Sequence, residues 1–397
     1  MPLPKAWTYS LSISLVLMAP FDLLASLGMD IYLPVVPQMP GALATTPAVV
    51  QLTLSLYMVV LGCGQLVFGP LSDRFGRRPV LLGGVLLFIV SSAGLACANA
   101  ASVFVVLRVM QAAGAAAALV ATFATVRDVY ATRPESAVIY GLFGSMLAFV
   151  PALGPVLGTL VDHGLGWRAI FVLLALLGTI AGWQALIRWP ETRTSGQVVR
   201  VAHVGRILSS AAFWIHTIGF SAAMGAFFVY FSTAPGVLID RLGLSAIAFS
   251  LVFATPAVVM IITSRFIAAL VRRWGERGCL FRGMALLVAG AALLASGEIF
   301  GLPSAMAFVG PMWLIAVGIV VTCAVTANGA LRAFGDVAGT ATAIYYCVES
   351  VIVSVTGTLV VLWLPPDTVW PLAVFCAAAG LLTIALTRGL SPVLKSG

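Results

Sequence analysis

Charge is what this sequence has least of. Only 9% of its 397 residues are charged, against about 25% in soluble globular chains, which excludes a water-soluble fold with an ordinary charged surface. Histidine is almost absent, and none of the three residues forms a cluster at metal-ligand spacing. The six cysteines, at 63, 97, 279, 323, 347 and 376, include no Cys-x-x-Cys and fall nearly all within apolar runs. They read as small core residues rather than disulfides or metal ligands. There is no nucleotide-binding motif, so ATP is not the energy source, and no nucleophile or metal set that a membrane-embedded enzyme would need. What is plentiful is apolar surface: 61% of residues are hydrophobic and the mean hydropathy is +1.11. The class is therefore an all-α polytopic membrane protein.

Apolar runs between polar breaks predict twelve membrane helices, over 11–34, 48–71, 79–98, 101–125, 137–160, 168–187, 210–233, 245–268, 279–299, 304–327, 340–363 and 369–387. Arginine and lysine are retained on the cytoplasmic side of a membrane. With both termini inside, eighteen of the twenty-one fall in or beside cytoplasmic segments; Arg168 and Arg241 lie outside and Arg108 within the membrane. The net charge of +8 is thus a topology signal, spread over short loops, and not a nucleic-acid footprint.

Against this background, each intramembrane charge stands out. The first run, too long for a signal peptide, carries Asp22 and Asp30. Asp22 lies roughly 16 Å along it, near the middle of a hydrocarbon core about 30 Å thick. Eight residues further, Asp30 is rotated by only about 80°, so the two carboxylates share one side. A charge at mid-membrane costs about 2.5–3.5 kcal/mol on insertion scales, so Asp22 either faces a functional cavity or remains protonated within helix packing. Arg108 lies some 10 Å below the outer face by the same rise. It either bonds a carboxylate or carbonyl of the first helix or snorkels outward. In the second half Glu349 sits near the depth of Asp22, after Tyr345 and Tyr346. It is a proton carrier, a hydrogen-bond acceptor for substrate, or structural. Tyr57, Phe227, Tyr345 and Tyr346 are candidate cavity-lining aromatics, although runs such as Met224–Phe231 also pack helices. Glu298 reads as interfacial.

The longest polar stretch, Arg188–Ser209, divides the chain into an N-terminal six-helix bundle (1–187), a cytoplasmic linker (188–209) holding His203, a solvated residue, and a C-terminal six-helix bundle (210–397). Weak internal repetition supports two halves. Arg74-Phe75-Gly76-Arg77-Arg78 recurs as Arg273-Trp274-Gly275-Glu276-Arg277, with Arg272 in place of Asp73. Gly69, Asp73, Arg74, Gly76, Arg77 and Arg78, following the second helix, combine close backbone approach with a dense charge set, which predicts a network between moving halves. The fifth helix holds Pro151, Gly154, Pro155 and Gly158, a bent and closely packing segment.

These features together resemble the major facilitator superfamily, over the whole chain. Gly69–Arg78 is similar to its cytoplasmic gating motif, and Leu107–Gly114 to its arginine motif associated with proton translocation. Ala148-x5-Gly154-Pro155-x2-Gly158 is an imperfect match to its antiporter motif, Gly-x-x-x-Gly-Pro. Met18–Ser26, Met29–Pro34, Ala121–Tyr130 and Phe231–Pro235 further resemble chloramphenicol and florfenicol exporters of Gram-negative bacteria, some of which carry Gln in place of Glu349. The resemblance implies the major facilitator fold and a proton-driven drug exporter of the bacterial inner membrane working by alternating access. Its partners are a small neutral drug such as a phenicol, protons and the lipid bilayer, with no cofactor, acting as a monomer. A broader multidrug antiporter and a proton-coupled importer share the same fold and carboxylates.

Overall fold

A computed structural model describes residues 7–130, 135–193, 204–301 and 304–389. His203 and both extreme termini lie outside them. In lipid, every backbone N–H and C=O must be paired internally, and the apolar runs accordingly close into helices. We number the long ones α1 (Leu11–Asp30), α2 (Pro47–Phe75), α3 (Arg77–Cys97), α4 (Ala101–Tyr130), α5 (Glu135–Leu165), α6 (Trp167–Arg188) and α7 (Ala211–Pro235). The next segment, Ala246–Ile299, is broken at Gly275 (φ 68°, ψ 171°) into α8 (246–274) and α9 (276–299). Then come α10 (Ala305–Leu331), α11 (Ala338–Trp363) and α12 (Trp370–Gly389). The twelve long helices among the described residues match the number of apolar runs, and the fold is all-helical.

Several boundaries move. The first run ends as α-helix at Asp30; Pro34 and Pro37 turn 33–38 into a 3-10 segment. Helix α2 continues to Phe75, so most of the gating motif is its last two turns rather than a loop, and only Gly76 separates it from α3. Helix α5 runs unbroken through Pro151 and Pro155. The six cysteines are free, and Cys97 is exposed, so its reading as a core residue fails. Glu298, at the end of α9, pairs with Arg241 at 2.8 Å.

Two compact units are present, Met1–Val199 and Arg200–Gly397. In the first, α4 packs along α2 and α3, α3 along α6, and α1 against α5. In the second, α10 packs along the α8–α9 segment, that segment along α12, and α7 against α11. Small residues set the closest approaches. A Cβ on Gly84 of α3 would lie 2.8 Å from the Gly114 carbonyl of α4, and one on Gly283 of α9 would lie 2.9 Å from the Gly318 carbonyl of α10. Gly76 (φ 107°) and Gly275 (φ 68°) occupy equivalent breaks in a backbone region that disfavours side chains. The repetition legible in five residues is thus a repetition of helix packing.

Candidate functional site

Arg108 is completely buried on α4. Its Nη1 donates to the Gly28 carbonyl of α1 at 2.7 Å and to Gln111 Oε1, one turn on, at 2.6 Å. Gln111 is itself oriented by donating to Ser92 Oγ of α3 at 2.8 Å. The guanidinium carbon lies 4.7 Å from the Tyr32 ring centroid and 4.6 Å from that of Tyr57. These two rings are themselves fixed: Tyr57 donates to the Ala25 carbonyl at 2.9 Å, and Tyr32 shares a hydrogen bond with Thr53 at 2.5 Å. A desolvated cation over an aromatic face gains about 2 kcal/mol. Of the two partners open to Arg108 on the first helix, it takes the carbonyl, and it does not snorkel. The cation is compensated by dipoles and ring faces rather than by an acid.

Asp30 ends α1 and is 4% exposed, whereas Asp22 on the same helix is half-buried. Among the described residues neither carboxylate makes a hydrogen bond or ion pair. The backbone around Asp30 is pressed by α5. A Cβ on Gly154 would stand 3.1 Å from Asp30 Cβ, and one on Gly158 only 1.8 Å from the Ile31 carbonyl oxygen. The antiporter-like glycines therefore let α5 touch the end of α1 where the carboxylate sits. Pro151 and Pro155 are buried on the same helix.

In the second unit Glu349 of α11 is 5% exposed and accepts a hydrogen bond from Ser350 Oγ at 3.1 Å. Tyr345, Tyr346 and Cys323 are within electrostatic reach of it. The candidate lining aromatics separate. Tyr57 is taken up by Arg108, and Tyr345 is buried and stacked on Phe220 at 5.1 Å. Phe227 is buried against Phe231 at 4.3 Å. Tyr346 alone of the four keeps partial exposure.

Within the first unit the gating motif forms a charge network. Arg77 bonds Asp73 at 2.5 Å and Asp128, near the end of α4, at 2.8 Å. Glu191, just past α6, accepts from the Arg77 and Arg78 backbone N–H groups at 2.8 and 3.1 Å, capping α3. Arg78 reaches the Leu186 carbonyl at 2.8 Å, and Arg193 donates to the Arg74 carbonyl. Arg74 lies over the neighbouring Phe75 ring. Gly76 is needed both for its positive φ and because a Cβ there would sit 2.4 Å from Glu191 Oε2; Gly69 has open space around it. The physical reason is that α3 packs between α4 and α6, so acids ending those helices meet its basic N-terminus. Gln111, Tyr32, Asp128 and Glu191 were not singled out from sequence. Gln111, three residues from a buried arginine, carried a usable signal; Glu191, alone among linker arginines, carried another.

The Major Facilitator Superfamily model matches residues 22–358. A chloramphenicol resistance protein of Pseudomonas aeruginosa is 52% identical over 388 residues, covering 96% of this chain and 91% of that protein. A multidrug resistance protein MdtL of Shewanella oneidensis is 26% identical over 359 residues, 88% of each. The crystal structure of a D-xylose-proton symporter superposes with a TM-score of 0.75 at 14% identity, over 96% of this chain and 99% of that one, a likeness of fold alone.

Proposed function

This chain belongs to the major facilitator superfamily, and from that premise we propose that it exports amphenicol antibiotics, chloramphenicol and also florfenicol, in exchange for protons. The family makes it a multi-pass membrane transporter rather than an enzyme, and such secondary transporters need no cofactor. The substrate rests on the relative that is alike over nearly the whole chain. Proton coupling rests on one observation: Arg108 is held by a carbonyl, an amide and two rings. Asp30 and Asp22 are therefore not neutralised by Arg108, which leaves their carboxyls to carry protons in this reading.

In this reading a neutral phenicol enters from the cytoplasm or inner leaflet, and protons from outside load Asp22, with Asp30 and Glu349 as further carriers. Pumping requires the drug to favour one conformation and the proton the other, since a ligand bound equally by both shifts nothing. Arg108, joined to Gly28 on α1, links proton-sensitive α1 to α4, and α5 transmits through Gly154 and Gly158. Tyr346 is the aromatic left for the drug. The Asp73–Arg77–Asp128 set holds the cytoplasmic ends of α2, α3 and α4 as one body during switching, with both chain termini on that side and the monomer as the working unit.

The test is accumulation of labelled chloramphenicol in cells expressing the chain, with and without an uncoupler. Expression should lower accumulation, and the uncoupler should restore it. Raised accumulation in energised cells would instead establish an importer, and equal protection against unrelated cationic dyes a broader multidrug pump.

A further inference from the structure

The two copies of the gating motif differ sharply in charge balance. In the first, Arg74, Arg77, Arg78, Arg127 and Arg193 share three acids, Asp73, Asp128 and Glu191. In the second copy Arg272 stands in place of Asp73, and the Arg77–Asp128 pair recurs with its signs reversed as Glu276–Arg332. Two acids lie at this end of the second unit, Glu276 and Asp336, and Glu276 pairs with Arg332. Arg272 and Arg273 are exposed and make no hydrogen bond or ion pair among the described residues.

The surroundings are ordered. Arg277 donates to the Thr387 carbonyl at 2.8 Å, drawing the start of α9 to the end of α12. Arg388 of α12 lies over the Phe281 ring of α9 at 5.0 Å. Arg282, which also donates to the Gly278 carbonyl at 3.2 Å, lies over the Trp274 ring at 4.9 Å. Two guanidiniums are thus laid on aromatic faces beside two that have no partner among the described residues, at the ends of three membrane helices.

We propose that this arginine–aromatic patch, centred on Arg272, Arg273, Arg282 and Trp274, binds the phosphate of an anionic phospholipid in the headgroup layer. A guanidinium fork matches phosphate geometry, and a ring beneath it limits the rotamers it must give up. Indole rings favour the headgroup depth of a bilayer. A cluster of basic residues directly beside a membrane helix attracts anionic lipid. The lipid supplies, from outside the chain, the negative charge that Asp73 supplies within the first unit. This goes beyond the transport reading and does not depend on the substrate.

The experiment is native mass spectrometry of protein released from nanodiscs of equal phosphatidylcholine and phosphatidylglycerol. The unchanged protein should retain phosphatidylglycerol preferentially, and R272Q/R273Q/R282Q should lower that preference by at least about five-fold, the effect of one basic residue near an anionic surface. R272K/R273K/R282K keeps the charges without the planar fork and should fall between the two. An unchanged preference in the glutamine variant overturns the proposal. So does equal loss in the lysine variant, which would show a packing role. Displacement of the lipid by millimolar inorganic phosphate would assign the patch to a free anion and overturn the lipid reading.

Discussion

Three glycines of α5 provide a graded test of the contact between that helix and the end of α1. Adding a methyl at Gly158 places carbon 1.8 Å from the Ile31 carbonyl oxygen. A tolerable carbon–oxygen contact is about 3.3 Å, so the helix must retreat by about 1.5 Å, and the atom it meets is backbone, which cannot rotate away. Overpacking of this kind costs about 1–3 kcal/mol, against a helix-propensity gain from Gly to Ala of about 1 kcal/mol. At Gly154 the nearest atom is Asp30 Cβ at 3.1 Å, a shortfall of only a few tenths of an ångström against about 3.5 Å, so the two effects nearly cancel. Gly164 has nothing within 4 Å and should show the propensity gain alone. Thermal unfolding of the purified variants should therefore rank Gly164→Ala highest, Gly154→Ala close to the unchanged protein, and Gly158→Ala lowest. Drug export from energised vesicles should fall most for Gly158→Ala, because the retreat occurs beside Asp30. A Gly158→Ala protein that melts as high as Gly164→Ala and exports normally would refute the close contact and the role drawn from it.

Other expectations follow from the same geometry. Asp22→Asn cannot lose a proton, so drug binding should persist while uphill export driven by a pH gradient disappears, and Asp22→Glu should keep part of it. Concentrative export by the Asn variant at normal pH dependence would pass the coupling role to Asp30. Tyr57→Phe preserves the ring under Arg108 and loses only the bond to the Ala25 carbonyl, costing about 0.5–1.5 kcal/mol. Tyr57→Leu removes the cation–π face as well and should be the worse of the two in stability and export; equal behaviour would discount the ring. Asp73→Asn weakens the contact with Arg77 and should slow export with the protein still in the membrane, measured as initial rates in vesicles; unchanged rates would reduce the motif to a topology signal.

The sequence by itself determined what depends on local chemistry. Twelve apolar runs demanded twelve helices, because no other open structure satisfies its backbone in lipid. Asp22, Asp30, Arg108 and Glu349 were conspicuous because a charge in such a run is costly, and Gly76 and Gly275 marked the repeat because each follows an aromatic residue among arginines. Only the tertiary structure decided who meets whom. Arg108 takes the Gly28 carbonyl across 80 residues, and Glu191 caps α3 across 114. Neither pairing has a local signature: hydropathy reports the depth of a residue in the membrane, while its partner depends on which helices lie side by side and on their rotation. The same limit explains Tyr57 and Tyr345, whose aromatic character suited a cavity wall equally well until packing placed one under a guanidinium and the other against Phe220.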